Sequence, residues 1–99
     1  MISSDIINSL NNNSLNVLNL RFHQIINIDD LKCLENNSSL TELDLSCNLI
    51  DNIEVLKCLE NNHSLNELFL YNNKINKNDI ENIFNKVLEK NYSLISLEY

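Results

Sequence analysis

Leucines recur along this chain in groups with the spacing L-x-x-L-x-L. In order, the groups are Leu15, Leu18 and Leu20; Leu40, Leu43 and Leu45; Leu65, Leu68 and Leu70; and Leu94 and Leu97 followed by Tyr99. Within each group the alternation of positions has the period of a β-strand that buries one face. The pattern therefore predicts short strands near residues 16–20, 42–45, 67–70 and 95–98.

A second motif lies between the leucine groups. Residues 32–37 read KCLENN and recur unchanged at residues 57–62, while residues 86–91 read KVLEKN. Residues 5–13 resemble the same half-unit standing alone at the front. An apolar stripe at helical spacing accompanies the last copy and consists of Ile80, Ile83, Phe84, Val87 and Leu88. These segments predict helices that alternate with the strands.

Asparagines are the candidate helix caps. Asn27, Asn52 and Asn78 precede the predicted helices, and an asparagine side chain readily accepts a hydrogen bond from the first free backbone N–H groups of a helix. Asn78 with Glu81 three residues later resembles a capping box. We therefore expect Asn78 to cap the last helix.

The two motifs together form a repeating unit. Its Ser-Leu junctions follow one another after 25, 25 and 29 residues. We divide a single domain, residues 1–99, into an N-terminal half-repeat (1–13), three repeats (14–38, 39–63 and 64–92) and a C-terminal partial repeat (93–99). One unit is too small to bury its own apolar stripe, so stacking of neighbouring units must build the core.

One polar position also repeats, three residues after the last leucine of a group. It holds His23, Asn48 and Asn73, and an isoleucine follows two residues later each time. An amide side chain can both donate and accept, so a buried column of asparagines can satisfy turn backbone groups. We interpret His23 as a partner for local backbone in the same way, rather than as a functional histidine.

These motifs resemble the leucine-rich repeat family over nearly the whole chain, and the 29-residue unit resembles its intracellular ribonuclease-inhibitor-like subclass. The resemblance implies an α/β fold: a leucine-rich repeat solenoid, a short right-handed β-α horseshoe segment with parallel strands on the concave side and helices on the convex side. It also implies a protein-protein interaction module, because the concave face is the usual contact surface in this family.

Composition limits the classes of partner and the cellular compartment that we expect for this chain. The net charge of −7 argues against nucleic acid binding, which needs clustered lysines and arginines. Residues 1–5 carry no basic segment and no apolar run follows, so we expect neither a secretory signal nor a membrane span. Three cysteines outside any CxxC pair favour a reducing compartment, and hence the cytoplasm. The chain has no glycine and 21 asparagines, so asparagine should supply the turns that need positive φ.

The sequence offers little for catalysis or metal binding. The candidate ligands Cys33, Cys47, Cys58, His23 and His63 lack any recognised ligand spacing, so we expect no metal or other cofactor. We interpret all three cysteines as small core side chains without disulfides. No phosphate-binding loop or hydrolase motif is present, and we expect no catalytic residue and no enzyme.

The candidate binding face consists of residues that alternate with the inward leucines. They are Val17, Asn19 and Arg21; Glu42, Asp44 and Ser46; Glu67, Phe69 and Tyr71; and Ser96 and Glu98. In-register parallel stacking puts Glu42 beside Glu67, and Phe69 between Asp44 and Glu98. Exposed aromatics in an acidic surround resemble an interface anchor. We predict that this face binds a protein partner, and its acidic character is compatible with a basic one. The predicted contact residues are Arg21, Glu42, Asp44, Glu67, Phe69, Tyr71 and Glu98.

Two alternatives remain open at this stage. The chain could be a fragment or remnant of a larger repeat protein without an independent function. It could also be a regulatory subunit that modulates an enzyme such as a GTPase, as some members of the family do. Self-association through the last strand is a further prediction, because an uncovered strand edge can pair with another chain.

Overall fold

Strands and helices alternate along the whole chain. A computed structural model describes residues 2–99. Its elements, in order, are helix α1 (Ser4–Asn11), strand β1 (Val17–Asn19), 3₁₀ helix η1 (Asp29–Glu35), strand β2 (Glu42–Asp44), 3₁₀ helix η2 (Glu54–Asn61), strand β3 (Glu67–Phe69), helix α2 (Lys77–Lys90) and strand β4 (Ser96–Glu98).

The strands form one four-stranded parallel sheet in the order β1-β2-β3-β4. Leu18 pairs with Leu43, Leu43 with Leu68, and Leu68 with Leu97, so equivalent positions of successive units lie side by side. The predicted strands are confirmed, although each is three residues long and shorter than the leucine pattern suggested. The predicted neighbours Glu42 and Glu67, and Phe69 between Asp44 and Glu98, are also confirmed.

The helices of the two 25-residue units differ from the prediction, because η1 and η2 are 3₁₀ helices. Their backbone bonds connect residues three apart, as from the N–H of Leu31 to the carbonyl of Ile28 at 2.9 Å. A 3₁₀ helix rises about 2.0 Å per residue against about 1.5 Å for an α-helix, so it spans the outer side of a unit with fewer residues. The 29-residue unit has the extra residues for an α-helix, α2.

The predicted cap of α2 was wrong. Asn76 is the N-cap, and its side chain accepts a hydrogen bond from the N–H of Asn78 at 2.8 Å. Asn78 therefore lies inside the helix and forms no capping box with Glu81. The N-cap residues of η1 and η2 are Ile28 and Ile53, so Asn27 and Asn52 lie one residue before the predicted position. Their side chains nevertheless accept hydrogen bonds from the N–H groups of Asp29 and Glu54, at 2.7 and 2.9 Å.

The core lies between the sheet and the helices. The leucines of the two central strands, Leu43 and Leu68, are fully buried, as are Leu34 of η1 and Leu59 of η2. Burying one such side chain stabilises the fold by about 1.5–3 kcal/mol. Because each leucine contacts its equivalents in the neighbouring units, the core is continuous from α1 to α2.

Asparagines line the strand-start side, by which we mean the segments that lead from a helix into a strand (residues 12–16, 36–41, 62–66 and 91–95). Asn37, Asn62 and Asn91 are buried there. The Asn62 amide donates to the carbonyls of Leu34 and Asn37 in the preceding unit and accepts from the N–H groups of Ser64 and Leu65. Asn91 repeats this pattern one unit later. This column was not predicted.

The predicted asparagine column lies on the strand-end side, by which we mean the segments that leave the strands (residues 20–28, 45–53 and 70–76). The Asn48 amide donates to the carbonyl of Leu20 at 2.9 Å and accepts from the N–H of Ile25 at 3.0 Å. Asn73 donates likewise to the carbonyl of Leu45. His23 is exposed, and its Nδ1 lies 2.6 Å from the carbonyl oxygen of Arg21, so it contacts local backbone as predicted.

The strand-end side also contains left-handed backbone. Phe22, Cys47 and Asn72 occupy one repeated position and have φ of 61°, 59° and 55°. Gln24 and Asn13 also have positive φ. The expectation that asparagine supplies these turns therefore holds at only two of the five positions. The other three positions hold Phe22, Gln24 and Cys47, whose side chains are energetically less favourable than asparagine at positive φ.

Candidate protein-binding face

The side of the sheet away from the core is lined by the residues that alternate with the leucines. We call this surface the open sheet face; its members are Val17, Asn19, Arg21, Glu42, Asp44, Glu67, Phe69, Tyr71, Ser96 and Glu98. None of them is buried, and Val17, Asn19 and Glu98 are exposed. Ser46 was predicted to belong here, but it is fully buried. The alternation of inward leucines and outward side chains follows directly from strand geometry.

Two columns of side chains run across this face. Val17, Glu42, Glu67 and Ser96 form the first, and Asn19, Asp44, Phe69 and Glu98 form the second. Glu42 and Glu67 are direct partners in adjacent strands, where like charges are mildly destabilising. The sheet thus holds four carboxylates around one aromatic ring, an arrangement that attracts cations.

Arg21 is the one cation on the open sheet face, and it reaches across a whole unit. Its guanidinium lies 5.4 Å from the ring centroid of Tyr71, and its Nε lies 3.8 Å from Oδ2 of Asp44. Its Nη2 donates to Sγ of Cys47 at 3.7 Å. This last hydrogen bond raises the pKa of the Arg21 guanidinium above its usual range. The sequence-predicted residues Arg21, Asp44 and Tyr71 are therefore brought into one cluster.

The buried position of Ser46 follows from this bridge. Ser46 stands between Arg21 and Tyr71 in the repeat, and its small side chain leaves room for the guanidinium to pass over it. Its Oγ and the Nε of Arg21 are buried without a hydrogen-bond partner among residues 2–99.

Sequence reasoning missed a group of residues that adjoins this cluster on the strand-end side. Phe22 is 75% exposed, and its ring centroid lies 5.4 Å from the guanidinium of Arg21. Leu49 is 41% exposed. The 25-residue register was the available signal, because it puts Phe22 and Leu49 outside the positions that carry core leucines and isoleucines.

The cysteines divide into two environments. Cys58 is buried in the core, and its burial raises the pKa of its thiol to about 11. Cys33 packs against the core, and burial raises the pKa of its thiol as well. Cys47 was also predicted to be a core side chain, but it lies in the turn after β2. Its Sγ accepts from Arg21 and from the amide of Asn72 at 3.6 Å.

All three cysteines are free thiols. Within residues 2–99, no group of three or more histidine, cysteine, aspartate or glutamate side chains is arranged to hold a metal ion. The open sheet face carries carboxylates, two aromatic rings and the Arg21 guanidinium, which contacts Asp44, Cys47 and Tyr71.

Comparison with known proteins relates the fold to a solved structure. No family model matches the chain, and no curated protein matches it. The chain is similar to leiomodin-1 actin-binding site 2. The TM-score is 0.66 at 19% identity, and the match covers 100% of this chain and 80% of that chain.

At this identity the likeness to leiomodin-1 concerns the fold alone. It agrees with an α/β arrangement in which a four-stranded parallel sheet packs against helices.

None of the helices within residues 2–99 is long and apolar enough to cross a membrane.

Proposed function

We propose that this chain is a leucine-rich repeat solenoid segment, similar to the ribonuclease-inhibitor-like subclass, that acts in the cytoplasm as a non-enzymatic protein-protein interaction module. The open sheet face is its concave surface and binds the partner. One observation carries the proposal. Tyr71 and Phe69 stand on this face among four carboxylates, and the core is complete without them.

The physical argument concerns what these side chains cost and what they offer. Glu42 and Glu67 repel each other across adjacent strands, so folding alone would favour another pairing. A partner that carries lysine or arginine relieves this repulsion. Aromatic rings supply large contact areas at low cost in side-chain entropy, and they dominate many protein interfaces. The expected partner surface is therefore basic with an apolar centre.

The Arg21 bridge supports the same proposal by preorganisation. Contacts with Asp44, Cys47 and Tyr71 hold the guanidinium in place, so binding loses less side-chain freedom at this point. Leiomodin-1 actin-binding site 2, which has a similar fold, is named for binding a protein. Actin is accordingly the first purified probe for this chain.

The test is affinity capture with matched charge variants. The immobilised chain is incubated with lysate of its native cells and, separately, with purified actin. The test variant carries Glu42→Lys and Glu67→Lys. The control carries Glu81→Lys and Glu89→Lys on the exposed side of α2, which changes the net charge equally. We expect the test variant to lose at least about tenfold in affinity for the captured protein and the control to bind as the unmodified chain does.

Phe69→Ser provides a second, charge-neutral test of the same face. We expect a loss of about tenfold or more if the ring is an anchor. If the double charge reversal and Phe69→Ser both recover as much partner as the unmodified chain does, the open sheet face is not the binding surface. Circular dichroism of each variant establishes that the fold is retained.

A further inference from the structure

An apolar groove lies on the strand-end side of the first two units. Its volume is about 360 Å³, and it is lined by Phe22, Gln24, Cys47, Asn48 and Leu49. Its two large apolar side chains, Phe22 and Leu49, are 75% and 41% exposed. Large apolar side chains that lie together on a protein surface mark sites of interaction.

Phe22 is the costliest residue at its position. The turn requires φ near +60° in each unit, and Asn72 meets this requirement with a side chain that tolerates the left-handed region. A bulky aromatic residue in the same conformation is strained, and its ring is exposed to water as well. The ring is no part of the core. Strained residues of this kind concentrate at functional sites.

An acidic cavity adjoins the groove. It has a volume of about 380 Å³ and is lined by Gln24, Ile26, Asn27, Asp29 and Asp30. Gln24 lines both the groove and the acidic cavity. In the part of the chain that the structure describes, no lysine or arginine nitrogen lies within 4.0 Å of the Asp29 or Asp30 carboxylates. Both carboxylates are exposed and open to a cation from outside.

We propose that this pair of cavities, the Phe22–Leu49 groove with the Asp29–Asp30 cavity, is a docking site for an extended peptide segment. The segment inserts a large apolar side chain beside Phe22 and Leu49. It presents a lysine or arginine to Asp29 and Asp30. An extended chain advances about 3.3 Å per residue, so the apolar and basic residues lie a few positions apart in the partner.

Charge selects this occupant over a second copy of the chain. The chain has a net charge of −7, and four of its seven lysines and arginines already contact carboxylates: Arg21, Lys32, Lys57 and Lys90. Another copy would therefore bring more repulsion than complementarity. The site goes beyond the proposed function, because it uses the strand-end side rather than the open sheet face. Arg21, which contacts the rings of both Phe22 and Tyr71, joins the two surfaces.

The experiment is selection from a random-peptide library displayed on phage, using the immobilised chain. Counter-selection uses the variant Phe22→Asn, which removes the ring but suits the left-handed turn, as Asn72 does. We expect the enriched peptides to share a large apolar residue followed within a few positions by lysine or arginine. Enrichment of acidic peptides, or no enrichment over Phe22→Asn, would overturn the proposal.

Affinities of one enriched synthetic peptide for matched variants then locate the site. We expect Phe22→Asn and the double variant Asp29→Asn, Asp30→Asn each to weaken binding by about tenfold. The control Ile95→Asn removes a similarly exposed apolar side chain, 83% against 75% for Phe22, from the segment just before β4. This variant should bind the peptide as the unmodified chain does. Equal affinity of Phe22→Asn and the unmodified chain would also overturn the proposal.

Amide chemical shifts separate this site from the open sheet face. The peptide should perturb residues 22–30 and 47–51, and it should do so in the Glu42→Lys, Glu67→Lys variant too. Perturbations confined to residues 42–46 and 67–71 would refute the groove while supporting the open sheet face. Failure of the open sheet face in the capture experiment leaves the groove result unaffected.

Discussion

The strand-start side and the strand-end side both contain turns whose backbone groups need hydrogen-bond partners, and they supply these partners with different residues. On the strand-start side, Asn37, Asn62 and Asn91 are buried. Each amide donates to a carbonyl of the preceding unit and accepts from an N–H group at the start of the following unit. On the strand-end side, another repeated position holds His23, Asn48 and Asn73. The left-handed residue just before it changes from phenylalanine to cysteine to asparagine.

The difference shows which repeated positions are constrained by folding and which can vary in residue type. Where the asparagine amide is buried and hydrogen-bonded to backbone on both sides, the residue type hardly varies between units, because a replacement leaves backbone groups unpaired. Where the turn is open to solvent, the same backbone accepts residues of unequal cost. The strand-end side is therefore the part of the chain in which residues can serve binding at some expense to stability.

The largest expected effect tests the strand-start side. Asn62→Ala removes two donated and two accepted hydrogen bonds and leaves buried backbone groups without partners. We expect a loss of about 3 kcal/mol in the free energy of unfolding, measured by urea denaturation. The neighbouring exposed residue supplies the control, since Asn61→Ala should change stability by less than about 0.5 kcal/mol. Similar losses for both variants would contradict the structural role given to Asn62.

The next effect concerns the buried thiol of Cys58 and the dependence of stability on pH. Burial raises the folded-state pKa of Cys58 to about 11 from its ordinary 9.0, so the folded state retains this proton more firmly than the unfolded state. The resulting stability is complete below pH 9 and is lost as pH rises from 9 to 11. Over that interval we expect the unmodified chain to lose about 2 kcal/mol more than Cys58→Ala does.

Thiol labelling of the native chain gives the same comparison without changing pH. Cys47 is partly accessible in its strand-end turn, whereas Cys58 is buried. A maleimide reagent should therefore modify Cys47 under native conditions and Cys58 only at the rate of unfolding. Mass spectrometry of peptides reads both positions. Equal labelling rates would show that the core around Cys58 opens freely.

A reciprocal exchange measures the cost of the left-handed turn. Phe22→Asn should stabilise the chain by about 1 kcal/mol, and Asn72→Phe should destabilise it by a similar amount, because a bulky side chain is disfavoured at positive φ. Thermal denaturation of both variants checks the prediction. Opposite signs would sharpen the contrast between the two units, and a stabilising Asn72→Phe would break it.

The smallest expected effect concerns His23. His23→Asn restores the residue that Asn48 and Asn73 represent in the following units. The imidazole already contacts the carbonyl of Arg21, so we expect a change in the free energy of unfolding within about 0.5 kcal/mol. A gain well above this value would indicate that His23 is kept for a role outside folding.

The strands, their register and the strand-end asparagine column could be predicted, because they follow from a period of two and a repeat of 25 residues. The buried strand-start asparagines could not, although the KCLENN motif contains two of them. In a run such as Asn61-Asn62, only the fold decides which amide faces the core: Asn62 is buried and Asn61 is exposed.

The candidate site was predictable as columns but not as contacts. Strand alternation puts Glu42, Glu67 and Phe69 on one face, and the structure agrees. That Arg21 extends over Ser46 to Tyr71 depends on side-chain length and on the space above a small residue, neither of which a linear pattern contains. The 3₁₀ helices were missed for a similar reason, since the distance to be spanned by η1 and η2 is a property of the stacked units.

The asparagine columns also give the chain a direction of growth. Each strand-start amide donates to carbonyls of the unit before it and to none of the unit after it. An additional copy of residues 39–63, inserted directly after the original, would find its acceptors already in position and would offer the same acceptors to its successor. These hydrogen bonds are therefore compatible with lengthening of the chain by duplication of a whole unit, and with shortening by deletion of one.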